Sequence, residues 1–131
     1  MLDWTESTTI KIIALYKYKG IEFDTIFTTI FNIIKKGIGV DPVQWIEEMR
    51  KNRIKGLNAA QKAAFNSLPL LFWICEENKL KSSFNQALDH VLITEGIDIA
   101  SVQMDLYYEY LNPSDEMKKE KYLAQGYKRK R

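Results

Sequence analysis

Apolar side chains recur at steps of three and four positions along most of this chain, from its first segment to Asn112 and Pro113. In the first segment, Ile10, Ile13 and Ala14 follow this spacing. Residues at such steps share one face of an α-helix, whereas a half-buried strand alternates at every second residue. The stretches TIKIIALY and TIFTTIF are rich in β-branched and aromatic residues that also suit strands, so the helical prediction rests on spacing and length. We therefore predict an all-α protein.

Residues that favour helix ends divide this pattern into separate helices. Gly20 and Gly37 suit the ends of the first two helices, and the Asn112-Pro113 pair suits the end of the last. The candidate N-caps are Thr5 or Ser7, Asp24, Asp41, Asn58, Ser82 or Ser83, and Asp98. The apolar face of the first helix is so wide that we expect this helix to be well buried. The pattern predicts a compact bundle of six or seven short helices with a basic C-terminal tail.

The length and composition suit one compact domain. The chain has 131 residues, of which 46% are hydrophobic, and this is enough for one core. The dense apolar stretch LPLLFWICEENK is the predicted centre of that core. We predict a single helical domain over residues 1–112, with a three-helix unit at 4–56 and an acidic, aromatic half at 57–112. Residues 113–131 form the predicted basic tail, with a frayed helix over 114–125.

The charged residues fall into three blocks of different sign. Residues 1–62 hold ten Lys/Arg against seven Asp/Glu, residues 63–111 hold two against seven, and residues 112–131 hold seven against three. Such asymmetry bears on partners and association more than on fold. The excess of positive charge in residues 1–62 is modest for a DNA-binding module, because phosphate contacts must supply much of the affinity of such a module.

The sequence also indicates in which cellular compartment the protein is expected. No run reaches the roughly 18 uninterrupted apolar residues of a membrane span, and the start MLDWTESTT lacks the features of a signal peptide. The single cysteine, Cys75, has no partner for an intrachain disulfide. We expect an intracellular protein in a reducing compartment with no membrane partner, and the nucleus is compatible with the basic end if the cell is eukaryotic.

The chain offers little for catalysis or metal binding. His90 is the only histidine, and the adjacent Asp89 points about 100° away from it on a helix. Cys75 and His90 could act as nucleophile and base only if the fold brought them together, and no local motif supports that pairing. A zinc site needs three or four Cys/His ligands, whereas the chain has two such residues. We expect no enzyme, no catalytic residue, no metal site and no cofactor.

The segment VDPVQWIEEMRKNR reads as a helix with basic residues near its end. Asp41 and Pro42 suit its start, and the cations Arg50, Lys51 and Arg53, with Lys55 just beyond the quoted segment, suit the negative end of the helix dipole. An ordinary solvated helix face therefore explains these charges without a nucleic acid.

The order of WTESTT, the apolar helix KIIALY, a second helix, a turn and VDPVQWIEEMRKNR resembles the Myb/SANT-like three-helix domains of transcription and chromatin proteins over residues 4–56. In that family the third helix enters the DNA major groove. The resemblance therefore implies base contacts from one set of side chains and phosphate contacts from two arginines. The first set is Gln44, Glu48, Lys51, Asn52 and Lys55, and the arginines are Arg50 and Arg53.

Two further features suggest partners. The end KRKR suits a phosphate-contacting arm, a nuclear-import signal or simple solubility, and it comprises Lys128, Arg129, Lys130 and Arg131. In MDLYYEYL, tyrosines are interleaved with carboxylates on a predicted helix, and the candidate protein-interaction residues are Tyr107, Tyr108, Glu109 and Tyr110. Tyrosine is common in protein interfaces, although the same rings could cover the edge of the core.

Two functions follow from these observations. The first is a DNA-binding regulatory factor whose acidic half binds protein, so that its partners are DNA and a protein. The alternative is a small protein-interaction module, such as a viral or phage assembly factor or inhibitor, with no nucleic-acid partner. A homo-oligomer is compatible with both.

Overall fold

The computed structural model describes residues 2–127 and, within that range, contains eight α-helices and no strand. The helices are α1 (Trp4–Lys19), α2 (Phe23–Ile38), α3 (Pro42–Ile54), α4 (Ala59–Asn66), α5 (Leu70–Glu76), α6 (Asn78–Thr94), α7 (Ile99–Leu111) and α8 (Asp115–Ala124). The all-α prediction is confirmed. The number of helices exceeds the predicted six or seven because the C-terminal segment forms a full helix of the bundle.

Helix α1 lies at the centre of the bundle and packs against α2, α5, α6, α7 and α8. Its middle is buried on every side, and Ile10, Ile12 and Leu15 are fully inaccessible to solvent. The Thr9 hydroxyl is buried with them and donates a hydrogen bond of 2.6 Å to the Thr5 carbonyl oxygen. The predicted burial of the first helix is thus confirmed, because its wide apolar surface is matched by neighbours all round.

One core joins the two halves of the chain. Phe84 of α6 is fully buried, and its ring contacts Trp4, Phe27 and Phe31 with centroid distances of 6.1–6.3 Å. The Trp4 indole Nε1 donates a hydrogen bond of 2.6 Å to the Asn85 side chain. The front segment 4–56 therefore packs Trp4, Phe27 and Phe31 against the second half of the chain.

Helix α8 is an integral part of this bundle. It packs on α1 and buries Met117, Glu120 and Ala124, while Lys118 and Lys119 remain exposed. Within residues 112–127, three Lys/Arg are balanced by three Asp/Glu, so the positive excess of the predicted tail lies in residues 128–131. Those four residues lie outside the described part of the chain.

Candidate functional site

Helix α7 carries apolar side chains on two opposite faces. Its inner face buries Val102, Leu106 and Tyr110, and the helix packs against α1 on this side. Gln103 attaches the helix to α1, since its Nε2 donates a hydrogen bond of 2.6 Å to the Ser7 hydroxyl. The inner face alone is sufficient to hold α7 in the bundle.

The opposite face exposes four large apolar or aromatic side chains, which we call the outer stripe: Met104, Tyr107, Tyr108 and Leu111. Their spacing of three and four residues places them side by side along the helix. Met104, Tyr108 and Leu111 are 75%, 76% and 52% exposed, respectively, and Tyr107 is half-buried. Exposed apolar groups that cluster in this way are typical of surfaces that bind other molecules.

A shallow hollow of about 410 Å³ lies beside the outer stripe. Met104, Tyr107 and Tyr108 line it together with Leu2 and Ala100. The Tyr107 and Tyr108 rings stand edge to face, with centroids 5.6 Å apart. This arrangement provides a shallow, largely apolar surface that suits the apolar side chain of a partner.

The sequence around the outer stripe is acidic. Residues 82–117 contain seven Asp/Glu and no Lys or Arg. Asp98 and Asp105 are exposed at the first and second turns of α7. Some of the other carboxylates pair with Lys side chains from α1, as Asp89 does with Lys11 at 3.0 Å. Asp98, the N-cap of α7, and Asp105 form no ion pair within residues 2–127, so these two carboxylates favour a partner that carries positive charge.

A group of three charged residues ties α7 and α8 to α1. Lys17 Nζ lies 2.7 Å from Glu109 Oε1 and 3.7 Å from Glu120 Oε2. Burial raises the pKa of Glu120, Lys17 opposes this rise, and the carboxylates of Glu116 and Glu109 add to it. Burial also disfavours the charge of Lys17, but Glu109 and Glu120 outweigh that effect and raise the pKa of Lys17. Glu109 is therefore already engaged inside the protein.

The four predicted protein-interaction residues fall in different environments. Tyr107 and Tyr108 belong to the outer stripe, and Glu109 is exposed but paired with Lys17. Tyr110 is only 7% exposed, and burial, together with the Glu6 and Asp3 carboxylates, raises the pKa of its hydroxyl. Tyr110 is therefore a core residue. Met104 was not predicted, although it lies one helical turn before Tyr107 and Tyr108.

The predicted DNA-contacting residues are divided in the same way. On α3 the outward face carries the exposed side chains of Gln44, Glu48, Lys51 and Asn52. Lys55, the C-cap residue just beyond α3, is also exposed. Within residues 2–127, neither Lys51 nor Lys55 forms an ion pair. Lys128, Arg129, Lys130 and Arg131 lie outside the described residues. Lys51 and Lys55 are thus two exposed lysines without an ion pair in this range, and Glu48 lies one helical turn before Lys51.

The two arginines of α3 make contacts within the bundle. Arg50 pairs with Glu47, and its guanidinium lies over the Trp73 ring at 5.7 Å. Arg53 pairs with Glu76 of α5 at 3.3 Å and lies over the Phe65 ring at 6.0 Å. Each arginine already has a carboxylate partner and an aromatic ring, so the phosphate contacts that the resemblance implies would compete with these interactions.

Cys75 and His90 line separate hollows, the first beside Phe72 and the second beside Ile33. Across residues 2–127, no three His, Cys, Asp or Glu side chains converge as metal ligands. None of the helices in that range is long and apolar enough to cross a membrane. The outer stripe of α7 and the exposed face of α3 are therefore the surfaces that carry the functional hypotheses.

Comparisons with protein-family models, with curated proteins and with solved structures found no match to this chain.

Proposed function

We propose that this chain is a non-catalytic protein-interaction module whose outer stripe on α7 binds a basic, amphipathic segment of another protein. The observation that supports this proposal is the second apolar face of α7, in which Met104, Tyr107, Tyr108 and Leu111 are exposed side by side. A helix that only completes a core needs one apolar face. The second face has a cost in solubility that binding a partner would remove.

The chemistry of the partner follows from the border of the stripe. An amphipathic helix can lay its apolar face on the stripe, with anchors at steps of three and four residues. Lys or Arg side chains beside those anchors would meet the exposed carboxylates of α7, Asp98 at its N-cap and Asp105. In a symmetric contact between two copies of α7, the same acidic residues would face one another, so like charges oppose self-association through this face. The proposed partner is therefore a different protein.

The experiment uses a fluorescent peptide designed as a Leu/Lys amphipathic helix, and a scrambled peptide of the same composition. We expect the helical peptide to bind the wild-type chain in fluorescence anisotropy and the scrambled peptide to bind much more weakly. Tyr107→Ala combined with Tyr108→Ala should reduce the affinity by roughly tenfold or more, since aromatic anchors dominate such contacts. Ile93→Ala is the matched control, because Ile93 is 68% exposed on α6 and lies outside the outer stripe. Equal binding of both peptides, or an unchanged affinity of the double variant, would contradict the proposal.

A second candidate function is DNA binding by α3, with the outer stripe as the protein-binding half of a regulatory factor. The observation in its favour is the exposed set of Gln44, Lys51 and Asn52 on one face of α3, with the exposed Lys55 at its C-cap. Random duplex DNA, titrated at low and moderate salt, tests it. DNA binding predicts an affinity that falls steeply with salt, and Lys51→Glu with Lys55→Glu should lower the salt slope by about two. Salt-independent or undetectable binding at micromolar protein rejects this function.

A further inference from the structure

A large cleft opens on a different part of the molecule from the outer stripe. It has a volume of about 1050 Å³ and lies between α2, α3, the α4–α5 connection and the C-terminal end of α8. One wall is formed by Phe23, Phe27 and Phe31, which are spaced four residues apart along α2. Tyr122 and Tyr127 also line the cleft, and their rings stack at 4.4 Å between centroids. This volume is at the upper end of the range of about 300–1,000 Å³ for sites that bind small molecules.

Arg50 is the only Lys or Arg that lines the cleft within residues 2–127, and it lies among these apolar walls. Only 14% of its side chain is exposed. Its Nη1 donates to Glu47, whereas its Nε is buried and has no hydrogen-bond partner within the protein. Because Arg50 is a lining residue of the cleft, the exposed part of its guanidinium can donate hydrogen bonds to an acceptor group of a ligand there.

The remaining polar groups limit the charge of the ligand. Asn66 and Ser67 line the cleft at the end of α4, and both offer neutral hydrogen-bonding groups. Asp24, in the first turn of α2, is the only carboxylate among the lining residues of segment 2–127. Because Arg50 is already paired with Glu47, and Asp24 repels anions, a ligand with several negative charges is disfavoured.

We propose that this cleft binds an amphipathic monocarboxylate, with the carboxylate on Arg50 and an aliphatic body along the Phe and Tyr walls. A guanidinium group matches the planar geometry of a carboxylate with parallel N–H donors. The aromatic walls would remove the aliphatic body from water. This site is independent of the outer stripe, so it does not depend on the proposed protein partner.

The test compares decanoate with decanol, which has the same alkyl chain and no charge, by isothermal titration calorimetry. The pH is kept well above the carboxyl pKa so that decanoate is ionised. We expect saturable one-to-one binding of decanoate, and binding of decanol that is weaker by roughly tenfold or more, which is the size of one charge-assisted hydrogen bond. Absent or non-saturable decanoate binding, or equal affinity for decanol, would overturn the proposal.

Single substitutions test whether decanoate binds in this cleft. Arg50→Gln should weaken decanoate binding by roughly tenfold or more. The matched control is Arg53→Gln, because Arg53 has a similar carboxylate and aromatic ring as partners but does not line the cleft. Thr28→Trp places a large side chain in the cleft from an exposed position of α2 and should abolish binding even if Arg50→Gln fails to fold. Undiminished binding in Thr28→Trp, or equal losses in the two Arg variants, would contradict the assigned site.

Discussion

The backbone N–H of Leu70 donates a hydrogen bond of 3.3 Å to the carbonyl oxygen of Gly126, and the next N–H, of Leu71, donates to Gln125 at 3.1 Å. Helix α5 has no side-chain cap at Pro69, so carbonyl groups at the end of α8 satisfy its first donors. The C-terminal segment therefore stabilises the start of a helix in the middle of the core.

The first prediction concerns this contact. Gly126 has a φ of +89°, and a Cβ at this position would lie 2.6 Å from the Leu70 Cβ. Gly126→Ala should therefore combine backbone strain with overpacking and lower the free energy of unfolding by about 2–4 kcal/mol. The control is Gly39→Ala, since Gly39 also has a positive φ but a Cβ added there would meet no neighbouring atom within 4 Å, and its cost should be about 1–2 kcal/mol. Chemical denaturation measures the free energy of unfolding of both variants. Equal losses in the two variants would argue against the α5–α8 contact.

The second prediction concerns the shared core. Phe84→Ala should lower the free energy of unfolding by about 3–5 kcal/mol, because the ring is fully buried between residues of both halves.

A fragment of residues 1–56 should lack a cooperative unfolding transition, since Phe27 and Phe31 would lose the ring that covers them. A stable, cooperatively folded 1–56 fragment would instead show that the front segment is an independent three-helix unit.

The third prediction concerns pH. Because burial raises the pKa of Glu120, the folded state binds a proton more tightly than the unfolded chain. Stability should therefore fall as pH rises from the pKa of an unfolded glutamate, about 4.3, through the raised pKa of the folded state. Glu120→Gln should be more stable than the wild type near neutral pH, and this advantage should vanish in acid.

Denaturation curves measured across this pH range test the third prediction. Glu48→Gln is the control for the loss of one negative charge, since Glu48 is exposed on α3 and does not belong to the group of charges around Glu120. A Glu120→Gln advantage that is constant with pH would show that the carboxylate is not responsible.

Much of the helical pattern could be read from the sequence. The spacing of apolar residues correctly predicted the helices and the burial of α1, and Asp41, Asn58 and Asp98 cap α3, α4 and α7 as expected. Asn58 even forms a reciprocal capping box with Gln61. These features are local, so a single sequence contains what is needed to find them.

The predicted starts of two helices were wrong. Helix α1 begins after Asp3, whose side chain accepts from the Glu6 N–H, and not at Thr5 or Ser7. Helix α6 begins after Glu77, earlier than the predicted serines. Because several neighbouring residues can cap a helix, the sequence alone does not select among them.

The candidate surfaces depended on tertiary packing that the sequence does not reveal. Tyr108 and Tyr110 are close in sequence and chemically identical, yet one is exposed and the other buried, because α1 covers only one side of α7. The burial of Glu120 likewise depends on the position of α8 against Lys17. For the same reason, the arginines of α3 could not be recognised as packed side chains before Trp73 and Phe65 were located.

The most direct measurement for the outer stripe is methyl NMR of the chain labelled at methionine, during titration with the basic amphipathic peptide. Met104 lies in the outer stripe, Met49 lies on α3, and Met117 is a buried residue of α8. We predict that the Met104 methyl signal shifts in a saturable manner while the signals of Met49 and Met117 stay unchanged. A shift of Met49 with an unchanged Met104 would contradict binding at α7 and place the peptide on α3.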